Sequence, residues 1–225
     1  MEILLDTANM AAIRRAVEYY PVDGFTTNPS ILAGVGDEVR AVLGQFKELV
    51  RPSQTIHMQT TAEKAEDMVS QAEKLTDYFG PNFHVKIPMN PEGIKAAKMA
   101  KAKGLKVTVT AIFTAAQALL AAKAGADYVA PYVNRIDNIS GDGVSVVCDI
   151  IRILDNYGFA TKVLGASFKN VQQIQALAVA GCQAATMTPD LIDTFVNHPY
   201  TVKSLEDFKK DWERSFKDSH ITDYL

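Results

Sequence analysis

Short apolar runs of β type alternate with helical patterns from one end of this chain to the other, and that alternation restricts its fold more than any other feature. The runs are EILLDT (2–7), GFTTN (24–28), TIHMQ (55–59), FHVKIPM (83–89), KVTVTAIF (106–113), YVAPYV (128–133), KVLGASF (162–168) and AATMTP (184–189). Between them lie stretches such as EKAEDMVSQAEKL and AAQALLAAKAG, whose apolar residues recur at helical spacing. Helical stretches end at Gly104, Gly125, Gly158 and Gly181, just before the next run, where glycine enters the left-handed conformation without steric penalty. Eight β-then-α units in about 200 residues predict an α/β chain folded as a (β/α)8 TIM barrel. A doubly wound open sheet is the alternative. No GxGxxG follows the first run, which lowers it.

At 225 residues the chain has room for one sizeable core, so residues 1–225 are read as a single barrel domain. After the eighth unit, 201–225 reads as an appended C-terminal helical segment. Within it, SLEDFKKDWERSF (204–216) sets Leu205, Phe208, Trp212 and Phe216 on one helical face, which must cover either its own barrel or a neighbour's. The 26 acidic and 23 basic side chains are evenly spread, and the net charge of −3 argues against nucleic acid or an anionic membrane as partner. The stretch around Ala115 to Ala130 is broken by Lys123 and Asp127 and is too short and too charged to span a bilayer. MEILLDTANM lacks the basic start of a signal peptide. Cys148 and Cys182 form no CxxC and read as buried free thiols, which suits a reducing cytoplasm.

Side chains alternate faces along a strand, and in a barrel one face meets the helices while the other meets the interior. Assigning the aliphatic set to the helices places Ile3, Leu5, Ile56, Met58, Val85, Ile87, Val107, Val109, Val129, Val133 and Leu164 outward. The inward set then ends, strand by strand, in Asp6, Asn28, Gln59, Lys86, Thr110, Tyr132 and Ser167. All are polar and all sit near the carboxyl ends of their strands, where barrels of this kind carry their active sites. A packed interior has no use for such a ring, because buried unpaired polar groups cost a few kcal/mol.

Lys86 stands at its centre. Desolvation lowers a lysine pKa, and the neutral amine attacks a ketone to give a carbinolamine and then an imine. The protonated imine accepts the electrons released when the C3–C4 bond of a ketose breaks. Proton transfer then needs partners beside the lysine: Asp6 for imine formation, and Tyr132 directly or through a water held by Gln59 and Thr110. Arg135, in NRID (134–137), and Ser167 and Lys169, in SFK (167–169), suggest a phosphate site on loops after the sixth and seventh strands. His57 and His84 share the inward parity one step deeper. With no third ligand at metal spacing they read as core hydrogen-bonding groups, and no metal is expected.

Together, LDTAN, GFTTNPSI (24–31), HVKIPMNPEGIKA (84–96), APYVNRID (130–137) and GASFKN (165–170) closely resemble the transaldolase family, over essentially the whole chain. Length places the chain among the small members, which include microbial transaldolases and fructose-6-phosphate aldolases. The resemblance implies that Lys86 is the Schiff-base lysine, with no cofactor beyond that covalent imine, and that Asp6 is the acid at the end of the first strand. It implies that Asn28 holds donor hydroxyls, Thr110 positions a catalytic water, and Arg135 and Ser167 bind phosphate. Lys169 stands where larger members carry a second arginine. Gln59 and Tyr132 replace the glutamate and phenylalanine usual in transaldolases and match the pair seen in fructose-6-phosphate aldolases. Sugar phosphates and dihydroxyacetone-type donors are the implied partners, and a homodecamer with the C-terminal helix reaching a neighbour is the implied assembly. The expectation is an aldolase first and a transaldolase second, with a non-catalytic sugar-phosphate-binding barrel as the remote alternative.

Overall fold

In a computed structural model that describes residues 1–225, the eight apolar runs form eight parallel strands that close into a barrel in chain order. These are β1 (Glu2–Asp6), β2 (Gly24–Thr26), β3 (Thr55–Gln59), β4 (Phe83–Pro88), β5 (Val107–Ile112), β6 (Tyr128–Pro131), β7 (Lys162–Gly165) and β8 (Ala184–Met187). Each crossover to the next strand contains at least one helix, as parallel pairing requires. The outward residues Leu5, Ile56, Val85, Ile87, Val107, Val109 and Val129 are almost wholly removed from solvent beneath those helices. Burying each such side chain contributes roughly 1.5–3 kcal/mol.

Short polar turns at the carboxyl ends of the strands start the helices. Asn9, Asn28, Asn90 and Asn170 each cap a helix by accepting a backbone N–H with the side-chain oxygen. Pro29 and Pro91 follow two of these caps, where a missing N–H costs nothing. Thr114 and Gln117 form a reciprocal capping box at the head of the helix Ala115–Lys123. The rim of the barrel is thus pinned by local hydrogen bonds, which limits the motion of whatever it carries.

The structure corrects one strand of the parity assignment. Leu164 belongs to the buried interior cluster with Leu4, Tyr128, Ala130 and Ala184, and does not face the helices. Its neighbour Gly165 points outward, where an added Cβ would meet the Phe168 ring at 2.8 Å and Leu177 at 3.0 Å. The barrel interior holds aliphatic side chains such as Leu4 and Leu164 alongside polar ones, so an aliphatic residue carries no label for either face. Two other expectations shift in detail. Cys182 is buried but Cys148 only partly so, and Tyr132 lies just past β6, joined to Ala166 by an isolated bridge.

The chain divides into two compact units, Met1–Pro189 and Asp190–Leu225. Sequence reading starts the appended segment at residue 201, whereas the second unit begins at Asp190. Its main helix, Pro199–Phe216, is capped by His198 and has no buried residue. Leu205 and Phe208 are 61% and 67% exposed. Trp212 packs against Phe216 and Tyr224 and donates its indole N–H to the Ser219 carbonyl at 2.8 Å. No helix is long and apolar enough to cross a membrane.

Candidate active site

Lys86 points from β4 into the barrel, and only 4% of it is exposed. Its ammonium nitrogen donates to the Thr27 carbonyl oxygen at 3.0 Å. Burial pushes its pKa below that of an ordinary lysine, while attraction to the Asp6 carboxylate partly opposes the fall. An amine so placed is closer to its neutral, nucleophilic form than a surface lysine.

A cavity of about 110 Å³ opens beside it. Asp6, Asn28, Tyr132, Arg135 and Ser167 line that cavity together with Lys86. Ala166 and Thr186 complete the wall and were missed in the sequence reading. For Thr186 the signal was available: once Ala184 is known to face inward, Thr186 follows by alternation. Thr186 donates to Thr26 at 2.7 Å, and Thr26 donates to Asp6 at 2.5 Å. The order of donation is fixed because a carboxylate can only accept. These hydroxyls, from β8 and β2, hold one carboxylate oxygen of Asp6 in place.

Tyr132 projects from the end of β6, and its phenolic oxygen lies 3.1 Å from the Thr110 hydroxyl. Thr110 is fully buried behind it and precedes a bulge in β5, where the register with β6 shifts between Thr110 and Ile112. Ala111, the extra residue, has φ 60°, a conformation that costs a non-glycine residue about 1–2 kcal/mol. Phe113, just beyond, packs edge-on to the Tyr132 ring at 5.6 Å. Gln59 pairs in register with Lys86 at the end of β3 but is not part of the cavity wall.

Directly after Tyr132, NRID is one turn of helix, Val133–Asp137, and not the loop expected from sequence. Its Arg135 guanidinium lies 4.8 Å from the centre of the Tyr132 ring. Ser167 reaches the cavity by an exceptional backbone conformation, φ 59°, and not by strand parity, since β7 ends at Gly165. Asn28 spends its side-chain oxygen on the Ile31 N–H at 3.0 Å, leaving its amide nitrogen for a ligand. Lys169 is exposed and outside the cavity wall, so it is not brought to the amine.

One layer beneath Lys86, His57 and His84 stack with ring centres 4.4 Å apart. His57 is hydrogen-bonded at both ring nitrogens, to Thr108 at 2.8 Å and Thr55 at 3.0 Å. Burial first, then His84 and Lys86, drive its pKa well down. Burial, reinforced by Lys106, lowers His84 to about 4, against weaker opposition from its bond to Asn82 and from Asp127 and Glu2. Both are neutral core groups, and no group of three His, Cys, Asp or Glu side chains comes together as a metal-binding set.

Fold and site together define a (β/α)8 barrel whose strand ends surround a buried, depressed-pKa lysine. Residues 3–224 match the family described as transaldolase/fructose-6-phosphate aldolase. The chain is 39% identical over 213 residues to a protein of Lactiplantibacillus plantarum named "Probable transaldolase", covering 95% of this chain and 97% of that one. This chain belongs to the transaldolase/fructose-6-phosphate aldolase family. Enzymes of that family work through a covalent Schiff base on a lysine and need no external cofactor.

Proposed function

We propose that this chain is a class I aldolase that reversibly cleaves fructose 6-phosphate into dihydroxyacetone and glyceraldehyde 3-phosphate through an imine on Lys86. The Lys86 amine attacks the C2 carbonyl, and the carbinolamine loses water to give a protonated imine. Asp6, held by Thr26 and Thr186, passes the protons of that exchange. The C4 hydroxyl loses its proton, the C3–C4 bond breaks, and its electron pair moves into the imine to leave an enamine. Protonation of the enamine at C3 followed by hydrolysis releases dihydroxyacetone and regenerates the amine. Asn28 holds donor hydroxyls, Gln59 with Thr110 holds a water, and Arg135 and Ser167 take the phosphate, with Lys169 adding charge nearby.

The observation that carries this reading is Tyr132. Its hydroxyl shares a cavity with the Lys86 amine and a hydrogen bond with Thr110, so it can deliver a proton to the enamine before an acceptor aldehyde arrives. The test is dihydroxyacetone release from fructose 6-phosphate, measured with and without erythrose 4-phosphate. Release without the acceptor supports the aldolase. Turnover only with it establishes a transaldolase, the reading favoured by the name of the Lactiplantibacillus plantarum relative. Absence of any borohydride-trapped adduct on Lys86 would leave a non-catalytic sugar-phosphate-binding barrel.

Assembly and setting belong to the same proposal. The exposed face of Leu205, Phe208 and Phe216 supports a homo-oligomer, and deleting 204–225 should lower the mass seen by light scattering. An unchanged large assembly after the deletion contradicts that role. The unbridged thiols of Cys148 and Cys182 suit a cytoplasmic protein.

A further inference from the structure

The helical turn that carries Arg135 and the bend that carries Ser167 are joined by side chains that do not line the cavity. Asp137 accepts the Gly143 N–H with one carboxylate oxygen at 2.7 Å and the Gln173 amide with the other at 2.6 Å. Gln173 in turn accepts the Lys169 N–H at 2.8 Å, two residues past Ser167. Backbone bonds run alongside: Val133 N–H to the Ala166 carbonyl at 2.9 Å and Asn134 N–H to the Ser167 carbonyl at 2.8 Å. Gln173 is buried to 9% exposure, and its carbonyl and amide ends face opposite segments.

These ties begin where the sheet stops. The β6–β7 ladder is registered only at Tyr128–Lys162 and Val129–Val163, followed by the Tyr132–Ala166 bridge. Beyond it the strand ladder ends, and only the two backbone bonds to the Ala166 and Ser167 carbonyls and the side-chain clamp tie the Arg135 turn to the Ser167 bend. Ser167 also sits at φ 59°, a conformation that persists only where surrounding contacts enforce it. Gly143 lets the clamp close, because an added Cβ there would lie 2.3 Å from the Val133 carbonyl oxygen.

We infer that Asp137 and Gln173 are positioning residues that hold Arg135 and Ser167 in the mutual geometry needed to grip a phosphate monoester. This rests on the reading of Arg135 and Ser167 as phosphate ligands. The guanidinium is on one segment and the hydroxyl on the other, so a bidentate grip on one anion requires their separation to be set in advance. The clamp supplies that setting without touching the imine-forming side of the cavity.

The experiment runs the synthetic direction with dihydroxyacetone, comparing glyceraldehyde 3-phosphate with unphosphorylated glyceraldehyde as acceptor. Gln173→Ala should raise KM for the phosphorylated aldehyde by about 10- to 100-fold, the usual cost of a displacement near 1 Å. KM for glyceraldehyde and the yield of borohydride-trapped dihydroxyacetone on Lys86 should change by less than about threefold. Gln173→Glu alone sets two carboxylates against each other and should behave like Gln173→Ala. Adding Asp137→Asn restores every bond of the clamp with the charge exchanged, and should bring KM most of the way back. Equal losses with both acceptors, or no rescue by the double change, overturn the inference. Arg135→Ala separates the two layers of argument: if it does not discriminate between the acceptors, the phosphate reading itself has failed. If it does discriminate while the Gln173 variants do not, only the clamp has failed. Should Gln173→Ala not fold, the single Asp137→Asn variant carries the same comparison.

Discussion

Two polar layers lie one above the other inside this barrel, and they have opposite characters. The lower one, with His57, His84, Thr108 and Tyr128, is closed. The histidine rings stack, the Tyr128 ring meets both edge-on, and the Tyr128 hydroxyl donates to Glu2 at 2.8 Å. The upper layer, with Asp6, Lys86 and Tyr132, opens onto a cavity and leaves part of its hydrogen-bonding capacity unspent. Buried polarity alone therefore does not mark a site. A polar layer whose groups stack on and hydrogen-bond to their neighbours holds the core in register, whereas one that meets empty space with an amine and a phenol has groups left to offer a ligand.

The comparison is tested hardest at Lys86. Lys86→Met should abolish borohydride trapping and lower turnover by on the order of 10⁴-fold or more, because the covalent path is gone. The same change should leave the melting temperature equal or higher, since it removes a costly buried amine. Residual adduct on another lysine would show that the upper layer has been misread.

Next comes Tyr132→Phe, which removes one hydroxyl and little volume. Dihydroxyacetone release should fall by about 10² to 10⁴, the usual worth of an acid–base group, while trapping on Lys86 persists. Transfer to erythrose 4-phosphate should fall less, because the enamine lives longer. Release at the wild-type rate would remove the reason for ranking aldolase above transaldolase.

The lower layer should answer to acid through stability. His84 is depressed from 6.5 to about 4, so the folded protein refuses a proton that the unfolded chain accepts near pH 6.5. Stability is then fully present above that pH, falls as pH drops from 6.5 toward 4, and loses about 3 kcal/mol from His84 alone. His57, also lowered, pulls the same way. Urea midpoints between pH 7 and pH 4.5 measure this, and a flat profile would mean the pair is already charged in the fold. The smallest effect belongs to His57→Leu, which strips Thr55 and Thr108 of their ring partner. It should cost about 2–3 kcal/mol of stability while the Lys86 adduct still forms. Loss of the adduct in a folded His57→Leu protein would merge the two layers into one site.

Much of the upper layer was legible in the sequence because strand alternation is local covalent geometry. Asp6, Lys86 and Thr110 follow from a period of two in short strands bounded by glycine and asparagine turns. The same reasoning failed in KVLGASF. Leu164 is as suited to a barrel interior as to a helix contact, and hydrophobicity alone could not choose. Ser167 reaches the site through a positive φ that no serine advertises. The turn at Asp137 and the amide of Gln173 gave no signal either, because their partners lie on other elements.

What the sequence by itself determined is the alternation of strands and helices, the parity of most strands, and the chemistry each strand end can offer. Only the tertiary structure decided which of those groups meet. Closing the barrel brings Thr186 to Thr26, residues 160 apart in the chain, and through Thr26 to Asp6. A hydrogen bond between distant strands depends on register and closure, and neither is written in the residues near it.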